Sequence, residues 1–256
     1  MIRFASLGSG SRGNSLVVDA GDTRLLLDCG FSVRAMVDRL ARLSMAPEEI
    51  DGIVVSHEHG DHVAGVRRFA GRFGIPVYLT YGTRQGIEQD SPSSLDYRLI
   101  DGAGGFCIGS LEITPFTVPH DAREPVQYLF SDGTRRLGVL TDCGTITQHV
   151  IDILSGCNAL MLECNHDPAM LAESNYPAML KRRISGTFGH LDNLQAADLL
   201  RKIDSSRLQH VIAAHLSEQN TRPELVARAL AEVLGGQARS VEVASQDEGI
   251  GWREIL

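Results

Sequence analysis

Aromatic residues are scarce in this chain: Phe, Trp and Tyr make up 5% of 256 residues, with a single tryptophan. No aromatic-rich stretch offers an obvious stacking platform for single-stranded nucleic acid. No run of 18 apolar residues occurs, so no segment is expected to span a membrane. Met1 to Leu7 lack the charged start, long apolar core and cleavage site of a signal peptide. Cys29, Cys107, Cys143, Cys157 and Cys164 are odd in number and form no Cys-x-x-Cys pair. They mostly sit in apolar stretches and read as reduced core thiols of a cytoplasmic protein. Cations are also outnumbered. The formal net charge of -8 argues against indiscriminate nucleic-acid binding, while leaving room for a local basic patch. What is present is 43% hydrophobic residues and 26 glycines, enough for a real core in a turn-rich α/β chain.

The densest chemistry lies in Ser56-His57-Glu58-His59-Gly60-Asp61-His62, directly after the apolar run Ile53-Val54-Val55. That run reads as a buried strand, so the polar residues fall where a strand ends and a helix begins. His57 and His59 are two apart, and a short extended turn can aim both imidazoles at one ion. Asp61 and His62 are adjacent and can serve a second ion nearby. Carboxylate beside imidazole suits zinc, manganese or iron rather than a thiolate-loving site.

Earlier, Gly8-Ser9-Gly10-Ser11-Arg12-Gly13 matches a dinucleotide fingerprint only in part, because no helix follows. Ser15 to Asp19 and Thr23 to Asp28 are strand-like with a turn between them, so the start is a meander. The glycine loop is either a phosphate contact or simply a tight turn. Ser32 caps a helix with Val33, Met36, Val37, Leu40 and Leu43 on its apolar face. Val66, Phe69, Ala70 and Phe73 repeat at helical spacing up to Gly74, followed by a strand over Ile75–Leu79 and a short helix near Thr83 to Glu88. Gln89 to Ser94 reads as a surface loop. Leu111 and Ile113 share one parity and Phe116 and Val118 the other, which suggests a bulge or an edge position at Pro115. Asp132-Gly133 marks a hairpin. A helix from about Thr147 to Leu154 stops at Gly156. Leu194, Ala197, Leu200 and Ile203 form one helical stripe, His210 to Ser217 is a strand, and Pro223 to Leu234 is a helix. Ser240 to Ile255 is β-like again.

The pattern His-x-His-x-Asp-His at residues 57–62 resembles the metallo-β-lactamase superfamily. That resemblance implies a single-domain four-layer αββα sandwich, α/β in class, over residues 1–256. It makes Asp28 a brace behind the metal loop, His120 (in Val118-Pro119-His120-Asp121) a ligand of the first ion, and Asp142 a carboxylate bridging two ions. Asp142 closes a buried strand, where an acid is also unfavourable unless a cation meets it. In the last third, the strand ending in Glu163, then Gly189-His190, then His215-Leu216-Ser217, resemble the tRNA 3′-processing (RNase Z) branch. There the Gly-His supplies a catalytic histidine and the terminal histidine ligates the second ion. Closer still, Gly-Ser-Gly-Ser-Arg-Gly-Asn-Ser, Pro-His-Asp-Ala, Glu-Cys-Asn-His-Asp, Leu-Lys-Arg-Arg-Ile and Ala-His-Leu-Ser resemble the YycJ/WalJ-type metal-dependent exonucleases. The chain departs from the tRNA enzymes in leaving no space for a long Gly/Pro arm, and from the β-CASP nucleases in lacking a second domain.

The resemblance thus implies a first ion on His57, His59 and His120, a second on Asp61, His62 and His215, and Asp142 between them. Such a pair lowers the pKa of a shared water towards roughly 7. Asp61 would orient the nucleophile and accept its proton. His190, unless it merely caps a helix, would protonate the leaving oxygen with Glu163 holding its ring. Expected cofactors are two divalent ions, zinc or manganese with iron also possible. The expected partner is a nucleic acid, DNA before RNA. The alternative activity is hydrolysis of a small phosphodiester or thioester. Redox chemistry ranks lowest, because diiron relatives carry a carboxylate where this chain has His59. His166 reads equally as a turn residue or a substrate contact. Lys181-Arg182-Arg183, the only cationic triplet, is a solvated helix face or a phosphate-backbone site. His149 and His210 read as surface or helix-end residues.

Overall fold

Short apolar runs separated by turn residues each become a strand here, and the strands assemble into two sheets of seven. The computed structural model describes residues 1–88, 95–235 and 241–256. The expected meander is β1 (Ile2–Gly8), β2 (Ser15–Asp19) and β3 (Arg24–Leu27), paired antiparallel. Helix α1 (Val33–Arg42) leads to β4 (Gly52–Val54), parallel to β3. Then come α2 (Gly60–Val63), α3 (Val66–Phe73), β5 (Val77–Leu79), α4 (Tyr81–Glu88) and β6 (Tyr97–Leu99). The loop expected at Gln89 to Ser94 lies outside the described residues.

The second half contains β7 (Phe106–Ile108), β8 (Leu111–Thr117), β9 (Val126–Ser131), β10 (Arg136–Leu140), α5 (Gln148–Leu154) and β11 (Ala159–Glu163). It continues with α6 (Pro168–Glu173), α7 (Ala178–Ile184), α8 (Asn193–Lys202), β12 (His210–Ala214), α9 (Pro223–Leu234) and β13 (Val241–Val243). From β7 to β10 the pairing is antiparallel; β10 to β13 run parallel. The last strand, β14 (Arg253–Ile255), returns to the first sheet beside β1, with Ile255 opposite Ile2. The orders are β14-β1-β2-β3-β4-β5-β6 and β13-β12-β11-β10-β9-β8-β7.

Three apolar layers hold four structural layers together. Phe4, Val18, Leu25 and Val54 from one sheet meet Tyr128, Phe130, Val139 and Met161 from the other. Their strand neighbours Val17, Leu26 and Ile53 face outward onto Met36 and Leu40 of α1 and Phe69 of α3. On the far side, Leu140, Leu160 and Val211 pack under α5, α8 and α9. Both faces of the central strands are buried, so they read as continuous apolar runs rather than alternating ones. The fold is the expected four-layer αββα sandwich. Its helices start where side chains can take orphan N–H groups: Ser32 Oγ accepts from Ala35, Thr147 Oγ1 from Val150, and Asp192 with Gln195 forms a capping box.

One alternative is decided and two expectations change. Pro115 produces no bulge, since β8 pairs with β9 in unbroken register from Glu112 to Thr117. It is an edge position, past the end of the pairing with β7. The parity switch arises because Ile113 faces the inter-sheet core and Phe116 the helical side. Leu194 leaves its stripe and is 62% exposed, while Ala196 and Leu199 take the buried face of α8. Cys107 is exposed; the other four cysteines are buried and free. No described helix is long and apolar enough to cross a membrane.

Buried Asp19 at the end of β2 ties the first sheet together through Arg3 (2.7 Å), Arg24 (3.3 Å) and the Gly21 amide (2.6 Å). Burial raises its pKa, but these donors outweigh that and hold it below the usual carboxylate range. Its stabilisation is therefore present above the unfolded-state pKa and lost as pH falls through the lower folded value. Asp19→Asn is expected to cost about 2 kcal/mol at neutral pH. In thermal melts its difference from the parent should shrink in strong acid.

Candidate metal centre

Polar residues gather where strands of both sheets end. β3 runs into Asp28, β4 into Ser56 and His57, β8 into His120, β10 into Asp142, β11 ends on Glu163, and β12 runs into His215. Asp28, Asp142 and His215 take left-handed backbone, with φ of 61°, 51° and 54°. Such a conformation costs a non-glycine residue of order 1 kcal/mol or more and clusters at functional sites. Here it turns the chain sharply at the strand end and swings each side chain into one cluster. Gly30 permits the tightest contact: a Cβ there would lie 1.8 Å from the Asp61 carbonyl oxygen.

All seven expected ligands converge. His57, His59 and His120 form one group, Asp61, His62 and His215 another, and Asp142 joins His57 and His62 as well as His190 and His215. His57 Nε2 is 3.0 Å from His59 Nδ1, and His120 Nε2 is 3.2 Å from that same atom. Ligand atoms around a tetrahedral ion with bonds near 2.1 Å lie about 3.4 Å apart. The rings are held from outside. Asp28 Oδ2 sits 2.7 Å from His62 Nδ1, the Gly189 carbonyl 3.1 Å from His120 Nδ1, and Glu163 Oε1 3.1 Å from His215 Nδ1. An Nδ1–H donating outward leaves the Nε2 lone pair facing inward, which is how outer partners prepare imidazole for a metal. Asp142 Oδ2 supplies the sharpest test of fit. It is sealed from solvent, 3.0 Å from His62 Nε2, and takes no hydrogen bond. Converging lone pairs around an unpartnered carboxylate oxygen are what a cation would resolve.

Without an ion, the charge is balanced by protons. Burial lowers His215, yet Asp142, Asp61 and Glu163 outweigh it and raise the ring to about 10. His62 is raised in the same way by Asp142 and Asp28. His57, buried and facing His62, is pushed down.

Glu163 is fully buried and accepts from four sides: His190 Nδ1 (2.8 Å), His215 Nδ1 (3.1 Å), and the Cys143 and Leu191 amides (both 3.0 Å). It has no surface to offer a substrate and reaches the cavity only through His190 and His215. Burial raises its pKa, but the His190 contact prevails and brings it to about 2. His190 does not cap α8, a role taken by Asp192. His190, Asp61, Asp142 and His215 line a cavity of about 380 Å³, together with Ser11, Asp121 and Arg183.

Three contributors take roles that the sequence reading did not give them. Asn14 Nδ2 reaches Asp61 Oδ2 (3.2 Å), and its Oδ1 is committed to the Gly10 amide (2.8 Å). Ser9 Oγ accepts from the His215 amide (2.9 Å). The glycine loop is therefore a brace joining the motif to the last strand, and only Ser11 of it lines the cavity. Asp121 lies 3.6 Å from His120 and 3.9 Å from His59, and binds Arg183 Nε at 2.5 Å. Within the triplet, Lys181 Nζ donates to the Ala172 carbonyl, Arg182 is exposed, and Arg183 alone lines the cavity. His166 is buried, lies off the cavity lining, and has an unpartnered Nδ1. His149 is exposed, and His210 opens β12 with Nε2 on the Glu254 carbonyl.

Residues 23–216 match the beta-lactamase superfamily domain. The chain is 34% identical to exodeoxyribonuclease YycJ of Bacillus anthracis over 91% of its own length and 89% of that protein's. It is 30% identical to exodeoxyribonuclease WalJ of Streptococcus pneumoniae, covering 87% and 84%. Its fold superposes on the metallo-beta-lactamase fold protein YhfI of Bacillus subtilis with a TM-score of 0.75 over 98% of both chains, at 17% identity.

Raised rings must lose their protons to bind an ion. Metal-stripped protein at neutral pH is expected to release protons on titration with Zn²⁺ or Mn²⁺, with affinity weakening as pH falls. Asp28→Ala, which frees the His62 ring, should weaken the metal about 10- to 100-fold. Calorimetry in buffers of differing ionisation enthalpy reads both.

Proposed function

Since the chain belongs to the beta-lactamase superfamily, we propose that it is a two-ion phosphodiesterase, acting as one domain, that removes nucleotides from the ends of DNA. The observation that carries this reading is a seven-ligand cluster opening on a cavity beside His190. Its support is the near full-length similarity to two exodeoxyribonucleases, which favours DNA over RNA. Four buried or half-buried carboxylates, Asp28, Asp61, Asp142 and Glu163, bring four negative charges to one place. Two divalent ions would neutralise them while the histidines stay uncharged, whereas one would leave an excess in a low-dielectric site. His57, His59 and His120 would hold one ion, Asp61, His62 and His215 the other, and Asp142 both. The buried free cysteines accord with a reducing, cytoplasmic setting.

Bound there, zinc, manganese or iron would lower the pKa of a shared water towards about 7 and neutralise charge on the phosphate oxygens. The chain's own residues do the rest. Asp61, half-exposed on the cavity and steadied by Asn14, orients the attacking water and accepts its proton. His190 has Nδ1 committed to Glu163, which leaves Nε2 to protonate the departing oxygen. Burial lowers the His190 pKa, but Glu163 outweighs it and keeps the ring protonated to higher pH. Bases as strong as an alkoxide leave slowly without such a donor.

End-labelled duplexes of several lengths, digested with Mn²⁺ beside an EDTA control, test the proposal. Metal-dependent stepwise shortening is expected, with His190→Ala slower by about 10²- to 10⁴-fold at unchanged metal content. Activity should decline as pH rises through the His190 pKa, and Glu163→Gln should move that decline to lower pH. Metal-loaded protein that leaves every duplex untouched but hydrolyses small phosphodiesters or thioesters would sink the nuclease reading.

A further inference from the structure

Helix α7 is unusual among the helices around the cavity, because none of its residues is buried. Met179 on it is 70% exposed, and Phe188 in the loop that follows is 60% exposed. Yet α7 is not loosely attached. The Ile184 carbonyl accepts from the His190 amide at 2.9 Å, and Asp121 N–H donates to the Phe188 carbonyl at 3.0 Å. A Cβ on Gly189 would lie 2.1 Å from that Ile184 oxygen. Backbone thus packs on backbone, and the wall is registered against the His190 side of the metal cluster. Tyr176, Leu180 and Ile184 line the cavity beside Arg183. Apolar surface left open beside a reaction centre marks a place where something binds.

We propose that this wall is a base-binding subsite, taking unpaired terminal nucleotides with their bases laid against Tyr176 and Phe188 and a phosphate met by Arg183. The inference rests on the nucleic-acid reading above and refines it. Charge decides the class of occupant. The wall carries Arg183 on the cavity and Arg182 exposed beside it, in a chain of net charge -8, so its complement is an anion with flat apolar faces, which describes a nucleotide strand better than a neutral peptide. Size decides how much enters. A cavity of about 380 Å³ is near the small end for ligand sites and suits a single nucleotide rather than a paired duplex end. An aromatic ring can take a base's face only once that base has left its own stack. The subsite therefore favours frayed or single-stranded ends, and it tolerates any base because each offers a π face. Arg183 is already oriented for this role. Its Nε is held by Asp121, so the remaining guanidinium N–H groups stay available for phosphate oxygens.

The test crosses the protein against the substrate. Single-stranded oligonucleotides, labelled at either end, carry normal or abasic residues at the terminal positions. They are digested by the Mn²⁺-loaded parent, the double variant Tyr176→Ala/Phe188→Ala, and Phe188→Leu, which keeps bulk but not the π face. Removing the bases should raise the parent's KM about 10- to 100-fold with kcat little changed. The double variant should show that higher KM on normal substrate and no further loss on the abasic one, with Phe188→Leu between. Both altered side chains are exposed or cavity-facing, so melting temperature and metal content should match the parent's. A parent that shortens normal and abasic strands alike, or a double variant that still distinguishes them, overturns the subsite while leaving the nuclease reading intact. A parent that shortens no strand from either end overturns both.

Discussion

Asp142 places a carboxylate oxygen, sealed from water, against the inward nitrogen of His62 at 3.0 Å and with no second donor. A buried charge in that position needs positive charge opposite it, from protonated rings or from a cation. The surrounding geometry follows from that need. Histidines from three strand ends turn their free lone pairs towards the same small volume, and Asp28, Glu163 and the Gly189 carbonyl hold them there from outside. Three left-handed residues supply the turns. Their strain is local, and the apolar layers on both faces of each sheet are extensive enough to support it.

The cluster belongs to neither half of the chain alone. His57, His59, Asp61 and His62 come from the first sheet, while His120, Asp142 and His215 come from the second. Their relative positions depend on the inter-sheet core of Phe4, Val54, Tyr128 and Met161. They depend as well on two small side chains in the glycine loop. Ser9 fixes the backbone of His215, and Asn14 fixes the carboxylate of Asp61. One loop thus sets the distance between ligands far apart in sequence. Glu163 performs the matching task within the second sheet, coupling His190 to His215 through a single oxygen.

Around this rigid base the substrate side is built differently. Asp121 contacts both the metal-side rings and Arg183, so the first ligand group and the cationic wall are joined by one carboxylate. The wall's aromatic residues are separated in sequence by the length of α7, which is why a scan for aromatic-rich stretches passes over them. Composition reports how many rings exist; only folding places Tyr176 in the cavity lining and leaves Phe188 exposed.

The sequence alone was enough for the motif His57-His59-Asp61-His62, the four-layer class, most helix limits and the expectation that His120, Asp142 and His215 gather with that motif. Those features rest on local spacing, on strand-ending polar residues and on a family pattern, all of which a linear string preserves. Tertiary structure decided the rest. It enclosed Glu163 completely and gave it His215 as well as His190, because burial depends on neighbours from other strands. It turned the glycine loop from a possible phosphate cradle into a brace, moved Leu194 to the surface, and divided the Lys181-Arg182-Arg183 triplet so that Arg183 alone meets the cavity. Each of these turns on which face a residue presents to chain distant in sequence, and that orientation exists only once the two sheets have packed together.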